Sequence, residues 1–242
     1  MTRALALALT LLALAPATLR AQSAEALHAV PVRYADRPLT LPEGSLRLDQ
    51  SAVFRLGFGG GGFGLSGPNM LSAGLTDWLE IAVAWPYTRD PTFLATARIA
   101  HTAAADIGLR VAVTTPTLTT GDTDLIVSMP IVFRIEHIAR IATGVTGDFL
   151  LTQTMQPIVR VPMSVAFNLG PRHVIGIEGS VSLADRRFWH GDIGMFFVHT
   201  VTATPMRPLV EVRFGASWEF ASRAFILSWA ISFWATANPT PR

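Results

Sequence analysis

The chain has 242 residues, of which 50% are hydrophobic and 15% are charged, and its formal net charge is +2. A charged fraction this far below the roughly 25% of soluble domains argues against an ordinary soluble protein. No run beyond the N-terminal region reaches the ~18 apolar residues of a membrane-spanning helix. The chain contains no cysteine, which excludes disulfides, thiol catalysis and cysteine-based zinc sites.

Residues 1–21 have the pattern of a secretory signal peptide. Arg3 supplies a positive charge, the apolar stretch from Ala4 to Ala15 is too short to cross a bilayer, and small residues lead up to Ala21. We predict that the chain is exported and cleaved after Ala21, with cleavage after Ala17 as the second option.

Residues 22–43 contain Pro31, Pro38 and Pro42 and show little hydrophobic periodicity. This composition predicts an extended lead-in ahead of the first strand. The alternative is that these residues fold back as a plug into the domain that follows.

Residues 44–235 alternate between apolar and polar side chains with the period of two that is typical of β-strands. At 124–135 the apolar set is Leu125, Val127, Met129, Ile131, Phe133 and Ile135. We predict twelve strands, at 45–57, 68–75, 78–86, 93–101, 105–114, 124–135, 138–148, 157–168, 173–183, 191–202, 208–219 and 223–234. Residues 236–242 are interpreted as a C-terminal tail.

Alternation by itself fits both a soluble β-sandwich and a membrane β-barrel, and the two classes differ in where each face points. A sandwich buries its apolar face against a second sheet, whereas an outer-membrane barrel turns it to lipid and its polar face to the lumen, with aromatic residues at the membrane interfaces. Aromatic residues near predicted strand ends are Trp78, Trp85, Phe149, Trp218, Trp229, Phe233 and Trp234. We therefore predict an all-β protein with a single antiparallel transmembrane β-barrel of about 12 strands (10–14) in the cell outer membrane, in contact with its lipid. Residues 22–43 would then be periplasmic, and a secreted sandwich or lipid-binding barrel is the alternative.

One stretch of the sequence carries a family resemblance. The segment from Asp36 to Asp49, followed by paired strands with turns such as Gly74-Leu-Thr-Asp77, resembles the start of uncharacterised outer-membrane β-barrel proteins of Gram-negative bacteria. The resemblance implies the barrel fold, and it brings no assigned activity and no catalytic residues. The chain departs from that pattern at its end, where Phe233-Trp234 is followed by further residues instead of closing the sequence.

Charged residues of the polar parity are predicted to line the lumen. They are Arg47, Asp49, Arg55, Glu80, Arg98, Asp106, Arg110, Arg134, Glu136, Arg140, Asp148, Arg160, Glu178, Glu211 and Arg213. They could form a salt-bridge ladder that closes a narrow barrel, because buried charges must be paired. They could instead line a water-filled pore whose arginines favour small polar or anionic solutes. A barrel of twelve strands lies between the filled and the open size ranges, so the strand number leaves both readings open.

Other motifs are weak. His190 with Asp192 is the best candidate for catalysis, in a predicted loop, but no adjacent nucleophile is identified. The glycine run from Gly57 to Gly67 lacks the Lys-Ser/Thr ending of a phosphate-binding loop and is interpreted as an outer loop. A further hypothesis places Arg186, Arg187 and Arg223 at the outer rim as ligands of lipid phosphates.

The sequence therefore predicts a narrow outer-membrane pore or transporter. A closed structural or binding barrel is the second reading, and a lipid-directed enzyme is the third. The sequence predicts no catalytic residue, no metal site, no cofactor and no nucleic-acid partner.

Overall fold

The computed structural model describes residues 33–57, 64–66, 68–86, 90–115, 123–150, 158–184, 187–201 and 209–236. The signal peptide predicted at 1–21, residues 22–32 and most of the predicted tail, 237–242, lie outside the described residues. The strands are β1 (Ser45–Gly57), β2 (Gly64–Ser66), β3 (Pro68–Thr76), β4 (Leu79–Pro86), β5 (Thr92–His101), β6 (Ala105–Thr114), β7 (Asp124–Ile135), β8 (Ala139–Leu150), β9 (Ile158–Asn168), β10 (His173–Ala184), β11 (Arg187–Thr200), β12 (Leu209–Glu219) and β13 (Ala224–Thr236). In the described residues ahead of them, Tyr34–Asp36 form a 3-10 turn.

The strands form one closed antiparallel barrel. From β3 to β13 each strand pairs with the next, and β13 returns to pair with β1 over its whole length. Strands β2 and β3 pair with successive stretches of β1, so together they take one position in the wall. The prediction of a barrel of about twelve antiparallel strands is confirmed, and closure rules out the sandwich, since a sandwich leaves two sheets with free edges.

The outer and inner faces of the barrel wall correspond to the alternating apolar and polar positions of each strand. On β7 the side chains of Met129, Phe133 and Ile135 are 44–48% exposed on the outside, whereas the inward Val132 is 2% exposed. The same division holds around the barrel, where the exposed large apolar side chains belong to the outer face of each strand or to a turn. An apolar exterior and a polar interior are the arrangement that a lipid environment stabilises.

One predicted interface aromatic lies elsewhere. Trp234 is 9% exposed and faces the interior, where it packs with Leu41 and Leu209. It has the same parity on β13 as the inward Ser232, because successive side chains of a strand point to opposite faces. Trp229 and Phe233 have the other parity and are exposed on the outside, as expected of residues that contact lipid.

The two ends of the barrel differ in their connections. Tight turns at 77–78, 102–104, 136–138 and 169–172 lie at one end, which we call the turn end. The opposite end, the loop end, carries the connections at 87–91, 115–123 and 151–157, whose residues are mostly outside the described set. Strand β11 begins at Arg187, earlier than the predicted residue 191, so His190 lies on a strand and not in a loop. Within the described ranges, no helix is long and apolar enough to cross a membrane.

Residues 33–44 do not stand apart from the barrel as an extended lead-in, but cross the inside of the barrel near its turn end. Ala35, Arg37, Thr40 and Leu41 are each less than 5% exposed. Tyr34 packs on a buried cluster formed by Ala166, Val174, Phe196 and Val198. For this part of the lead-in the folded-back alternative describes the structure, because apolar and charged groups of the segment find partners on the inner wall. We call residues 34–43 the lumen segment.

Candidate functional site

The lumen segment is bound to the wall through alternate backbone amides. The N–H groups of Leu39, Leu41 and Glu43 donate to carboxylate oxygens of Asp106 (2.9 Å), Glu80 (2.9 Å) and Asp77 (3.1 Å), respectively. Every second amide of an extended chain points to the same side, so a spacing of two residues lets one side of the segment face a row of acceptors. Hydrogen bonds to ionised carboxylates are about twice as strong as those between neutral groups. The segment is therefore docked in a defined register.

Asp106 is the most elaborate of these anchors. Its side chain is fully buried and accepts from Nη1 of Arg134 at 2.6 Å, from the Leu39 amide, and from Nδ1 of His101 at 2.5 Å when that nitrogen carries the proton. Arg134 also donates to the carbonyl oxygen of Thr102, 2.9 Å away. A buried carboxylate is stable only when its oxygens are paired in this way.

A buried ion pair holds the start of the lumen segment. Both terminal nitrogens of Arg37 donate to the carboxylate of Glu211 on β12, one of them at 2.7 Å, and the hydroxyl of Thr200 donates to the same group at 3.1 Å. The Arg37 guanidinium carbon also lies 4.8 Å from the ring centroid of Trp234, within cation–π range. Arg47 lies 5.0 Å from that ring as well.

Two glycines make room for the segment. A Cβ at Gly74 would overlap the carbonyl oxygen of Pro42 and lie 2.7 Å from that of Leu41, and a Cβ at Gly108 would overlap a methyl group of Leu39. Glycine lets backbone approach backbone this closely. The inner wall is thus shaped to the lumen segment on β3 and β6.

We expect Gly74→Ala to lower the free energy of unfolding by about 1–3 kcal/mol, the usual cost of overpacking. The atoms in the way belong to backbone, which cannot rotate aside. The temperature at which the barrel loses its heat-modifiable gel mobility measures the effect. Gly147→Ala is the matched control, because its new Cβ would meet the movable ring of Phe149 at 2.9 Å. Equal losses in the two variants would contradict close packing at Gly74.

Among the described residues, two cavities of the lumen share three lining residues. One, of about 330 Å³, lies beside β7 to β11, and the other, of about 340 Å³, lies between the lumen segment and strands that include β1, β12 and β13. Leu39, Arg110 and Arg140 line both cavities. The two spaces thus share one apolar side chain of the lumen segment and two guanidinium groups of the wall, and Glu178 of the first cavity forms an ion pair with Arg213 of the second.

The charged residues predicted to line the lumen fall into two groups by their partners. The first group is joined in ion pairs: Arg47 with Asp49 (2.9 Å) and Glu80 (3.8 Å), Arg55 with Glu219, Arg134 with Asp106, Arg213 with Glu178, and Glu211 with Arg37. The second group has no ion pair within 4.0 Å among the described residues: Arg98, Arg110, Glu136, Arg140, Asp148 and Arg160. Of these, Glu136 is exposed in the turn at 136–138 with a positive φ of 29° and lies apart from the cavities.

Arg110 and Arg140 are the members of the second group at the cavity boundary. Arg110 donates from Nε to the Thr96 hydroxyl at 3.0 Å, and the Arg140 guanidinium lies 5.2 Å from the Tyr34 ring. Nε of Arg140 is buried and has no hydrogen-bond partner in the described part of the chain. These contacts orient both guanidinium groups, and no carboxylate oxygen of the described residues lies within 4.0 Å of either one.

The other sequence candidates are separated by the structure. Nε2 of His190 lies 3.0 Å from a carboxylate oxygen of Glu219, whereas Asp192 accepts from the Ser180 hydroxyl, so the two residues bind different partners. Arg223 lies exposed in a turn, while Arg186 and the side chain of Arg187 are outside the described set. Residues 58–63 and 67 of the glycine run are outside it as well, whereas Gly64–Ser66 form β2, which pairs with β1, so this part of the run is a strand and not a loop.

Several residues of the site were not among the predicted ones. Arg37 and Leu39 lie in the proline-containing stretch, where no period marks an inward face. Glu219 shares the polar parity of Glu211 and Arg213, so parity could have identified it as the partner of Arg55. Only the fold shows that the lumen segment reaches Glu211, 174 positions away from Arg37.

Comparison with known proteins gives the fold a context. No family model matches the chain, and no curated protein matches it. Among solved structures, a NanC porin aligns with a TM-score of 0.59 at 8% identity, covering 77% of this chain and 98% of that chain. The fold is that of outer-membrane porins. A KdgM porin in complex with disordered oligogalacturonate aligns with a TM-score of 0.60 at 7% identity, covering 77% and 98% of the two chains. The COG4313 outer membrane channel from Pseudomonas putida F1 aligns with a TM-score of 0.60 at 12% identity, covering 81% and 97%.

Proposed function

We propose that this protein is a narrow outer-membrane pore for small polar solutes, with a preference for anions. The observation that carries the proposal is the position of Arg110 and Arg140, which line both lumen cavities without an ion-pair partner among the described residues. Arginine keeps its charge at every physiological pH and binds carboxylates and phosphates through paired hydrogen bonds. Two such groups at one boundary attract an anion that crosses it.

The carboxylates of the same space are already engaged. Glu80 accepts from the Leu41 amide and Glu211 from Arg37, while Glu178 pairs with Arg213. These carboxylates are therefore hydrogen-bonded or paired, whereas neither Arg110 nor Arg140 has an ion-pair partner among the described residues. The two guanidinium groups thus remain available to an anion at the place where the cavities meet.

The comparisons support this reading at the level of fold. Porins are the proteins with which the chain shares its architecture over most of its length. One of them was crystallised with oligogalacturonate, a polyanion. Within the proposal the protein resides in the outer membrane after export by residues 1–21, contacts lipid through its apolar exterior, and acts as a channel without catalysis.

A second candidate function is a closed barrel with a structural or binding role. The observation in its favour is the lumen segment. It crosses the interior of the barrel, and its Arg37 forms an ion pair with Glu211 of the wall. The two candidates differ in whether ions pass.

Single-channel recording of the refolded protein in a planar bilayer tests the proposal. We expect small current steps. Across a potassium chloride gradient, the reversal potential should have the sign that results when chloride is more permeant than potassium. Heat-modifiable gel mobility of the same sample verifies that the barrel is folded. A folded, inserted protein that carries no current would establish the closed barrel, and a cation preference would contradict the role of the two arginines.

A further inference from the structure

We infer that the lumen segment is a permanent part of the pore wall and that Leu39 sets the size of solute that passes. The inference rests on the proposed pore function. It adds a specificity-determining residue that lies outside the strands and carries no charge.

Leu39 occupies the point at which the two cavities meet. It lines both of them together with Arg110 and Arg140. One of its methyl groups fills the space that a side chain at Gly108 would take on the wall. The Leu39 side chain thus packs against Gly108 of the wall, and it lines both cavities together with the guanidinium groups of Arg110 and Arg140. We therefore assign the passage between the two cavities to the space between Leu39 and the two arginines.

The contacts on either side of Leu39 keep the segment in place. Arg37 is bound to Glu211 on β12, and the amides of Leu39 and Leu41 are bound to carboxylates on β6 and β4. The Thr40 hydroxyl donates to the carbonyl oxygen of Asp77 at 2.8 Å. Moving the segment aside would break all of these contacts together and leave the buried Glu211 without its arginine partner, which is strongly unfavourable. Passage beside a fixed segment is the alternative that leaves these contacts intact.

A single cysteine introduced at residue 39 tests this inference, since the native chain has no cysteine to react in its place. Leu39→Cys is recorded in a bilayer before and after treatment with negatively and positively charged methanethiosulfonates. We expect both reagents to remove most of the current because of their bulk. In the current that remains, the negative reagent should weaken the anion preference and the positive one should strengthen it. Ala221→Cys is the matched control, because Ala221 is exposed in the turn at 220–223, where an aqueous reagent reaches it, and it lines neither cavity; its modification should leave the current unchanged.

Leu39→Ala provides a second variant that does not depend on thiol chemistry. The smaller side chain should raise the conductance, and liposome swelling should extend to larger solutes, with the anion preference retained. A current in Leu39→Cys that survives modification, verified by protein mass, would overturn the inference. So would a conducting protein whose residue 39 never reacts, or an Ala variant with the native conductance. Each of these results would leave the pore itself intact, whereas loss of the proposed function would appear as absence of current in the unmodified wild-type protein.

Discussion

Replacing Glu211 with glutamine is expected to lower the free energy of unfolding by about 3 kcal/mol, near the lower end of the ~3–5 kcal/mol that follows removal of one partner of a buried ion pair. The side chains of Arg37 and Glu211 are 5% and 7% exposed, so little solvent compensates the arginine when the carboxylate is lost. The amide oxygen of the introduced glutamine can still accept one hydrogen bond from Arg37, which places the loss of free energy at the lower end of this range. The change is measured by the temperature at which half of the protein loses its heat-modifiable gel mobility, or by the urea concentration at which half of it unfolds in lipid.

Glu178→Gln is the matched control for this variant. Glu178 pairs with Arg213, but the two side chains are 36% and 35% exposed, and pairs that reach solvent contribute about 0–1 kcal/mol. The same substitution should therefore have a small effect at Glu178 and a large one at Glu211. Similar midpoints for the two variants would mean that the lumen segment is not anchored by the buried pair. Because that pair ties the segment to β12, Glu211→Gln should also increase the fluctuation of the open-channel current.

Reversing both boundary arginines, Arg110→Glu with Arg140→Glu, is expected to invert the ion selectivity of the pore. The two positive charges at the meeting point of the cavities become two negative ones, and the carboxylates of Glu80 and Glu178 nearby remain. Charge of one sign at the narrow point of a pore determines which ion enters. The reversal potential across a potassium chloride gradient should change sign.

The control for charge reversal carries the same change in net charge away from the lumen. Arg172→Glu with Arg223→Glu alters two exposed turn residues and should leave the reversal potential close to that of the wild type. A selectivity that is unchanged by reversal at Arg110 and Arg140 would remove them from the permeation path. Loss of the folded barrel in the reversed variant would be distinguished by gel mobility, and the milder Arg110→Gln with Arg140→Gln would then be tested for a weaker anion preference.

Local features of the sequence predict which side chains of the barrel wall face outward and which face inward. On β7 the alternation from Leu125 to Ile135 predicted which face is apolar, because strand geometry alone sends successive side chains to opposite sides. The exposure of Met129 and Phe133 confirms that assignment. Residue type predicts an interface position for Trp234, but its parity on β13 is that of the interior, and the structure places it there.

The ion-pair partners of the charged residues are harder to predict than the face of the wall on which each residue lies. Arg134 and Asp106 share the inward parity on neighbouring strands, and the register of β6 and β7 brings them together. Arg110 and Arg140 have the same parity, yet among the described residues they have no ion-pair partner. The difference depends on register and on the direction of long side chains, neither of which the local pattern contains.

The sequence by itself determined the fold class, most strand positions and the division into an apolar outside and a charged inside, because these depend on a period of two residues and on tight turns. It did not predict β2 or the early start of β11. The tertiary structure decided the course of residues 34–43, since that stretch has no period and takes its conformation from distant acceptors on β4, β6 and β12. It also decided which charges are compensated. Ion pairs such as Arg37 with Glu211 form only after closure of the barrel, when residues far apart in the chain share one enclosed space.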